Sequence, residues 1–241
     1  MVTQEIGCYH CGSENIVKND MAPNGKQKYR CKDCGKQSRQ QPSPNGDPEG
    51  RREEILRAYE ERSSLRGLSR TFAVARNTVS RWLKKTITLP ALKDTLVPPN
   101  KPKSAVLELD ELWLFVRHKA NKRWIWLALC KQTRQVVACV VGGRDEATCK
   151  QLWQAVPEGY RQSILYSDFW KAYRAVLPDA QHQAVGKGSG LTAHIERFNN
   201  TLRQRLARLV RQTLSFSKSH HMHLVCLHRF LVRYNLEIIR D

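Results

Sequence analysis

The 241-residue sequence has no apolar run approaching the ~20 residues that a helix needs to cross a bilayer. Nor does Met1 lead into a signal peptide, since the polar Val2-Thr3-Gln4-Glu5 follows it. Both absences predict a protein made and kept in the cytoplasm, with no membrane partner. Acidic side chains are also scarce: 22 Asp and Glu stand against 41 Lys and Arg, a formal net charge of +19. The excess is concentrated, with 13 bases against 5 acids in residues 51–104 and 9 against 3 in residues 191–241. Two such blocks call for a polyanion, and nucleic acid is the commonest one. In a cytoplasmic protein the eight cysteines argue for metal binding or burial and against disulfides. At 41% hydrophobic and 26% charged residues, the composition is that of a folded globular protein.

Four of the cysteines form two knuckles, Cys8-x-x-Cys11 and Cys31-x-x-Cys34, with residues 12–30 between them. This spacing predicts a structural zinc ribbon over residues 1–40, Zn²⁺ being held by all four thiolates. Gly12 and Gly35 directly follow the second cysteine of each knuckle, where the chain must turn sharply. A segment of about 40 residues buries too little apolar area to fold alone, so the metal would supply most of its stability. Cys130, Cys139, Cys149 and Cys226 lack ligand spacing and are expected to be small core residues.

Residues 40–50 are rich in turn-forming residues and read as a linker. Beyond it, residues 51–88 carry three short helical patterns. Leu65, Leu68 and Phe72 on one helix and Val79, Trp82 and Leu83 on the next have the spacing of faces that pack together. Asn77 or Thr78 is the expected cap of the last helix. Arg76, Asn77, Ser80, Arg81, Lys84 and Lys85 would remain exposed to face a DNA groove, as in a helix-turn-helix.

After a second proline-rich linker, residues 89–102, the pattern changes to strands. Strands are predicted at 105–116, 123–130, 135–142 and 163–167, and helices at 145–155, 169–177, 193–211 and 221–236. Three successive strands followed by alternating helix and strand predict an α/β domain over 104–241, with a mixed sheet in the ribonuclease-H-like order. Three carboxylates stand out in this basic chain: Asp110 inside the first strand, Asp168 at the end of the fourth, and Glu196 at the start of a helix. Phosphodiester transfer needs an activated nucleophile and a stabilised leaving oxygen, and two divalent ions supply both. Mg²⁺ (or Mn²⁺) takes hard carboxylate oxygens, so a few acids from different elements suffice to hold them. On the Glu196 helix, Asn200 and Arg203 share its face and would contact phosphates. His194 is a candidate for orienting Glu196, with capping of the helix start as the competing role.

The motifs Leu109-Asp110-Glu111-Leu112-Trp113, Tyr166-Ser167-Asp168-Phe169-Trp170-Lys171-Ala172-Tyr173 and His194-Ile195-Glu196-Arg197-Phe198-Asn199-Asn200-Thr201-Leu202-Arg203 follow a ribbon and a helix-turn-helix. In that order they resemble the transposases of the smallest bacterial insertion sequences, the insertion-sequence-one family. The resemblance covers essentially the whole chain. It implies a DDE-type site with Asp110 and Asp168 as the two aspartates, Glu196 as the glutamate, and Arg203 as the basic residue seven positions later. It also implies binding of double-stranded DNA at the element's ends, metal-dependent cleavage and transfer into target DNA, by a homo-oligomer assembled on that DNA. The competing reading is a DNA-binding regulator whose C-terminal domain only dimerises. Convergence of the three acids favours the enzyme, and wide separation favours the regulator.

Overall fold

The computed structural model describes residues 6–23, 25–39, 47–85, 89–99, 105–210 and 215–239. Most of the expected 40–50 linker, the end of the 89–102 linker and the last residue of the 193–211 helix lie outside them. Contacts divide the chain into two compact units, residues 1–51 and 52–241. No helix among the described residues is long and apolar enough to cross a membrane.

The first unit is built on an antiparallel sheet of β1 (Ile16–Met21), β2 (Gln27–Cys31) and β3 (Gln37–Arg39), with β2 central. Among the described residues here only Cys8, Ala22, Tyr29 and Cys31 are buried, so apolar packing alone gives this sheet scant support. The turns that follow Cys11 and Cys34 place Gly12 at φ 74° and Gly35 at φ 69°. A side chain at either position would be strained.

The second unit opens within α1 (Glu49–Glu60), from Arg52 onward, and continues with α2 (Leu65–Phe72) and α3 (Arg76–Lys85). Ser64 caps α2, its hydroxyl accepting from the Gly67 amide at 3.0 Å. Helix α3 begins one residue before Asn77. The amides of Thr78 and Val79 both donate to the Ala75 carbonyl, so Asn77 and Thr78 lie within the first turn and neither is the cap. Burial of Val74 and Val79 fixes where the chain enters the helix, and packing overrides the local cap signal. The three helices share a core of Ile55, Leu56, Tyr59, Leu68, Val79 and Leu83.

A five-stranded sheet follows: β4 (Val106–Phe115), β5 (Lys122–Cys130), β6 (Val136–Gly142), β7 (Ile164–Ser167) and β8 (His182–Ala184). Its spatial order is β6-β5-β4-β7-β8. β4 to β6 form an antiparallel meander, while β4–β7 and β7–β8 are parallel. The edge strand β8 has only three residues and no apolar periodicity, so nothing in its sequence announced it. β5 is buried continuously from Ile125 to Cys130 because both faces of the sheet are covered. On one face, Leu107 and Leu109 pack with α4 (Glu146–Ala155) and α5 (Lys171–Val176). On the other, Leu112 and Leu114 pack with α6 (Ala193–Arg205) and α7 (His220–Glu237). Ile195, Phe198, Leu202, Leu206 and Leu209 form a buried stripe, although the expected 193–211 helix stops at Arg205 and a 3-10 turn, Ala207–Leu209, continues it. Cys130, Cys149 and Cys226 are buried and Cys139 is half-buried.

Candidate functional site

Strand alternation sends Glu108 and Asp110 of β4 toward α6, and Glu111 toward α5. β7 runs parallel to β4 at the centre of the sheet and delivers Asp168 just past its carboxyl end, the edge where α/β sheets carry their sites. Carboxylate oxygens of Asp110, Glu111 and Asp168 all lie within 4.8 Å of one another. Together they border a cavity of about 400 Å³ whose walls also include Arg144, Lys187, Glu196, Asn200 and Arg203. Glu196 therefore shares the cavity, but its carboxylate stands outside the tight group and accepts from the Thr192 hydroxyl at 3.0 Å.

The crowding is electrostatically costly. Burial, then the charge of Glu111, then that of Asp168, push the Asp110 carboxyl up to about 6. Asn199, on α6, donates to Asp110 Oδ2 at 2.6 Å and opposes the shift. Burial also raises the Glu111 carboxyl, against hydrogen bonds from the Tyr173 hydroxyl (2.8 Å) and Arg144 Nε (2.8 Å). The Arg144 guanidinium lies 4.5 Å from the Trp124 ring centroid and 4.0 Å from that of Trp170, so it is stacked as well as paired. Sequence reasoning gave no role to Asn199, Tyr173 or Arg144: the first two lie inside the quoted motifs and Arg144 outside them, but each finds its acid only through tertiary packing.

Glu108 has a different task. Its buried carboxylate accepts from the backbone amides of His194 (2.9 Å) and Ile195 (2.9 Å), and it contacts His194 Nδ1 at 2.6 Å. These amides are first-turn donors of α6, which no side chain of its own N-cap residue satisfies. Strand β4 therefore caps α6 from outside and fixes the turn that carries Glu196. His194 belongs to this cap.

In the first unit, Cys8, Cys11, Cys31 and Cys34 bring their sulfurs within 4.8 Å of one another. The pairs Cys8–Cys34 and Cys11–Cys31 stand 3.7 and 3.6 Å apart. Sulfurs at the corners of a tetrahedron with metal–sulfur bonds of about 2.3 Å would be about 3.8 Å apart, so the donor set fits a zinc ion. The His10 amide donates to Cys8 Sγ at 3.4 Å and lowers the pKa of the Cys8 thiol.

Arg76, Asn77, Arg81, Lys84 and Lys85 are exposed on α3 and Ser80 is half-buried. A groove of about 920 Å³ begins beside Arg76, Asn77 and Ser80. Arg66, Arg70, Arg208 and Lys218 add four more cations to its lining.

The fold and site define a mixed α/β protein with one four-sulfur centre and one carboxylate centre, each able to hold a metal ion. The model of the IS1 transposase family matches residues 104–236, and the chain belongs to that family. It is 36% identical over 129 residues to the insertion element iso-IS1n protein InsB of Shigella dysenteriae, covering 54% of this chain and 95% of that one. To the IS1 protein InsB of Shigella flexneri it is 39% identical over 116 residues, 48% of this chain and 86% of the relative. The IS1 4 protein InsB of Escherichia coli K12 is 36% identical over 127 residues, 53% of this chain and 74% of its own length.

Proposed function

We propose that this protein is a DNA transposase that binds the ends of an insertion sequence and catalyses metal-dependent strand cleavage and strand transfer. The observation that carries the reading is the convergence of Asp110 and Asp168, from two strands and 58 positions apart in sequence, in a cavity shared with Glu196 and Arg203. A regulator with an inert C-terminal domain has no use for one buried and two half-buried acids crowded within 4.8 Å of one another. The ribonuclease-H-like assignment is supported by an antiparallel meander of three strands continued by two parallel ones.

The donor set of the cavity is all carboxylate oxygen, which fits Mg²⁺ or Mn²⁺. Asp110, Asp168 and Glu196 would hold two such ions, with Glu111 beside them. When bound, the ions activate the attacking water or 3′-hydroxyl and stabilise the leaving oxygen. The chain's own residues do the rest. Asn199 holds Asp110 at a fixed rotamer, and the Glu108 cap sets the position of Glu196. Arg203, Lys187 and Asn200 supply cations and an amide to the walls, where phosphates of the scissile strand would lie. Modules are proposed at 1–40 for a zinc ribbon, 51–88 for the helix-turn-helix and 104–241 for catalysis. Arg76, Asn77, Ser80, Arg81, Lys84 and Lys85 would meet double-stranded DNA, and a homo-oligomer would join the two ends.

The test is incubation of the protein with labelled element ends and Mg²⁺. Nicked and joined products are expected from the unaltered protein. Asp110→Asn, Asp168→Asn and Glu196→Gln should each lose both products yet bind the ends normally, and Arg203→Ala should slow the reaction without abolishing it. Full strand transfer by any of the three carboxamide variants removes that residue from the triad.

A further inference from the structure

Phe169 follows Asp168 directly, yet 60% of its surface is exposed. A large apolar side chain left in water forgoes the transfer energy that burial would bring. The ring nevertheless has neighbours on two sides. The Arg174 guanidinium carbon lies 5.8 Å from its centroid, and Cε2 would stand only 3.7 Å from a Cβ built at Gly186. The ring thus lies beside bare glycine backbone. It forms one wall of a recess of about 280 Å³ lined also by Asp168, Trp170, Val185, Gly186 and Lys187.

Asp168, Val185 and Lys187 line the carboxylate cavity as well, so the two concavities share a wall. An aromatic face, a cation and a carboxylate that would bind metal are therefore arranged side by side. That combination matches one nucleotide: a base for the ring and a phosphate for Lys187, next to the phosphate under attack. A paired base inside a duplex cannot present its face to a side chain, so the base must be unstacked.

We infer that Phe169 is a stacking platform for a single unpaired base of the DNA strand next to the scissile phosphate. The inference rests on the proposed transposase reading and adds to it a positioning residue and a required distortion of the substrate. Opening the end of the element would draw the scissile phosphate toward Asp110 and Asp168, and Phe169 would keep the displaced base from returning to its partner. Stacking of one base by an aromatic side chain is sequence-tolerant, so Phe169 would act at either end of the element.

The experiment compares the full chain with Phe169→Ala and Phe169→Trp on end duplexes. The set includes a scan in which each nucleotide near the cleavage position is replaced in turn by an abasic one. On unmodified ends, Phe169→Ala should cleave roughly 5- to 150-fold more slowly, the range that stacking one base supplies. Phe169→Trp should stay near the wild-type rate, and end binding should be unchanged in both. At one or two abasic positions the deficit of Phe169→Ala should vanish, because no base remains there to be held. A deficit that persists across the whole scan, or full activity of Phe169→Ala, overturns the proposal. Absence of cleavage by the unaltered protein on every duplex overturns the transposase reading and this inference with it.

Discussion

At the scale of single residues, the carboxylate centre depends on partners that neutralise it without filling it. Glu111 is the clearest case, since Arg144 pairs with it at 2.6 Å and two tryptophan rings hold the guanidinium flat. Lysine has neither the planar fork nor the stacking face that this place uses. Arg144→Lys should therefore behave like Arg144→Ala. Each is expected to lower strand cleavage at least ~10-fold and to cost about 1–3 kcal/mol of stability, a range held down because Arg144 is 35% exposed. Wild-type cleavage and an unchanged unfolding midpoint in Arg144→Lys would show that the stacking is dispensable. A second residue-scale prediction concerns His223, which is buried beside Ser217 Oγ at 3.0 Å. Burial, then the charges of Arg208 and His220, push its imidazole down to about 4. The folded value lies below the ordinary one near 6.5, so the unfolded chain binds the proton more readily between them. Stability from this group is complete above pH ~6.5 and is lost at about 1.4 kcal/mol per unit as pH falls toward 4. Thermal midpoints between pH 7 and 5 should fall more steeply for the wild type than for His223→Gln, and equal slopes would assign the loss elsewhere.

At the scale of elements, β4 and α6 are joined at two points, Glu108 at the first turn of the helix and Asp110 through Asn199 further along. Both bonds come from one face of one strand, so the helix can neither slide nor rotate without breaking them. Replacing Glu108 removes the acceptor for two buried first-turn amides. Glu108→Ala should cost about 2–4 kcal/mol, and it should reduce cleavage further at temperatures where the fold persists, because Glu196 rides on the freed turn. Glu108→Gln retains one acceptor oxygen and should recover much of the stability. Calorimetry paired with the cleavage assay distinguishes the two effects. Equal losses in Ala and Gln variants would mean that charge, and not the cap, is what matters.

Within the larger unit, α1 to α3 do not stand apart from the sheet. Cys226 and Met222 of α7 pack into their core, and Arg208 Nε donates to the Tyr59 hydroxyl at 2.7 Å. Arg229, buried on α7, pairs with Glu60 at 2.6 Å and Glu53 at 2.9 Å, and Arg233 reinforces both. This network packs α1 to α3, and with them the exposed basic face of α3, against the part of the unit that carries the carboxylate cavity. Removing one member strands a buried charge, so Arg229→Ala should cost about 3–5 kcal/mol. On the proposed reading it should also reduce cleavage of bound ends more than it reduces binding, because the proposed DNA-reading helices would lose their purchase on the proposed catalytic part. Parallel losses in binding and cleavage would mean instead that α3 itself had unfolded.

What the sequence determined by itself was everything encoded by local pattern. The spacing of Cys8, Cys11, Cys31 and Cys34 marked the four-sulfur centre, and alternation along Val106–Phe115 placed Glu108 and Asp110 on one face. The period of Ile195, Phe198 and Leu202 oriented α6, and the charge blocks called for a polyanion. Tertiary structure decided the rest, for a physical reason: partners of a buried polar group are chosen by proximity after folding, and residues far apart in sequence leave no periodic trace of that meeting. Glu111 lay in plain view beside Asp110, but only packing of α5 and of the turn after β6 brought Tyr173 and Arg144 to it. The three-residue strand β8 exists because β7 offers it an edge, not because His182–Ala184 favours a strand. The start of α3 at Arg76 likewise follows from where Val74 and Val79 find their core, against a local signal that favoured Asn77 or Thr78 as the cap.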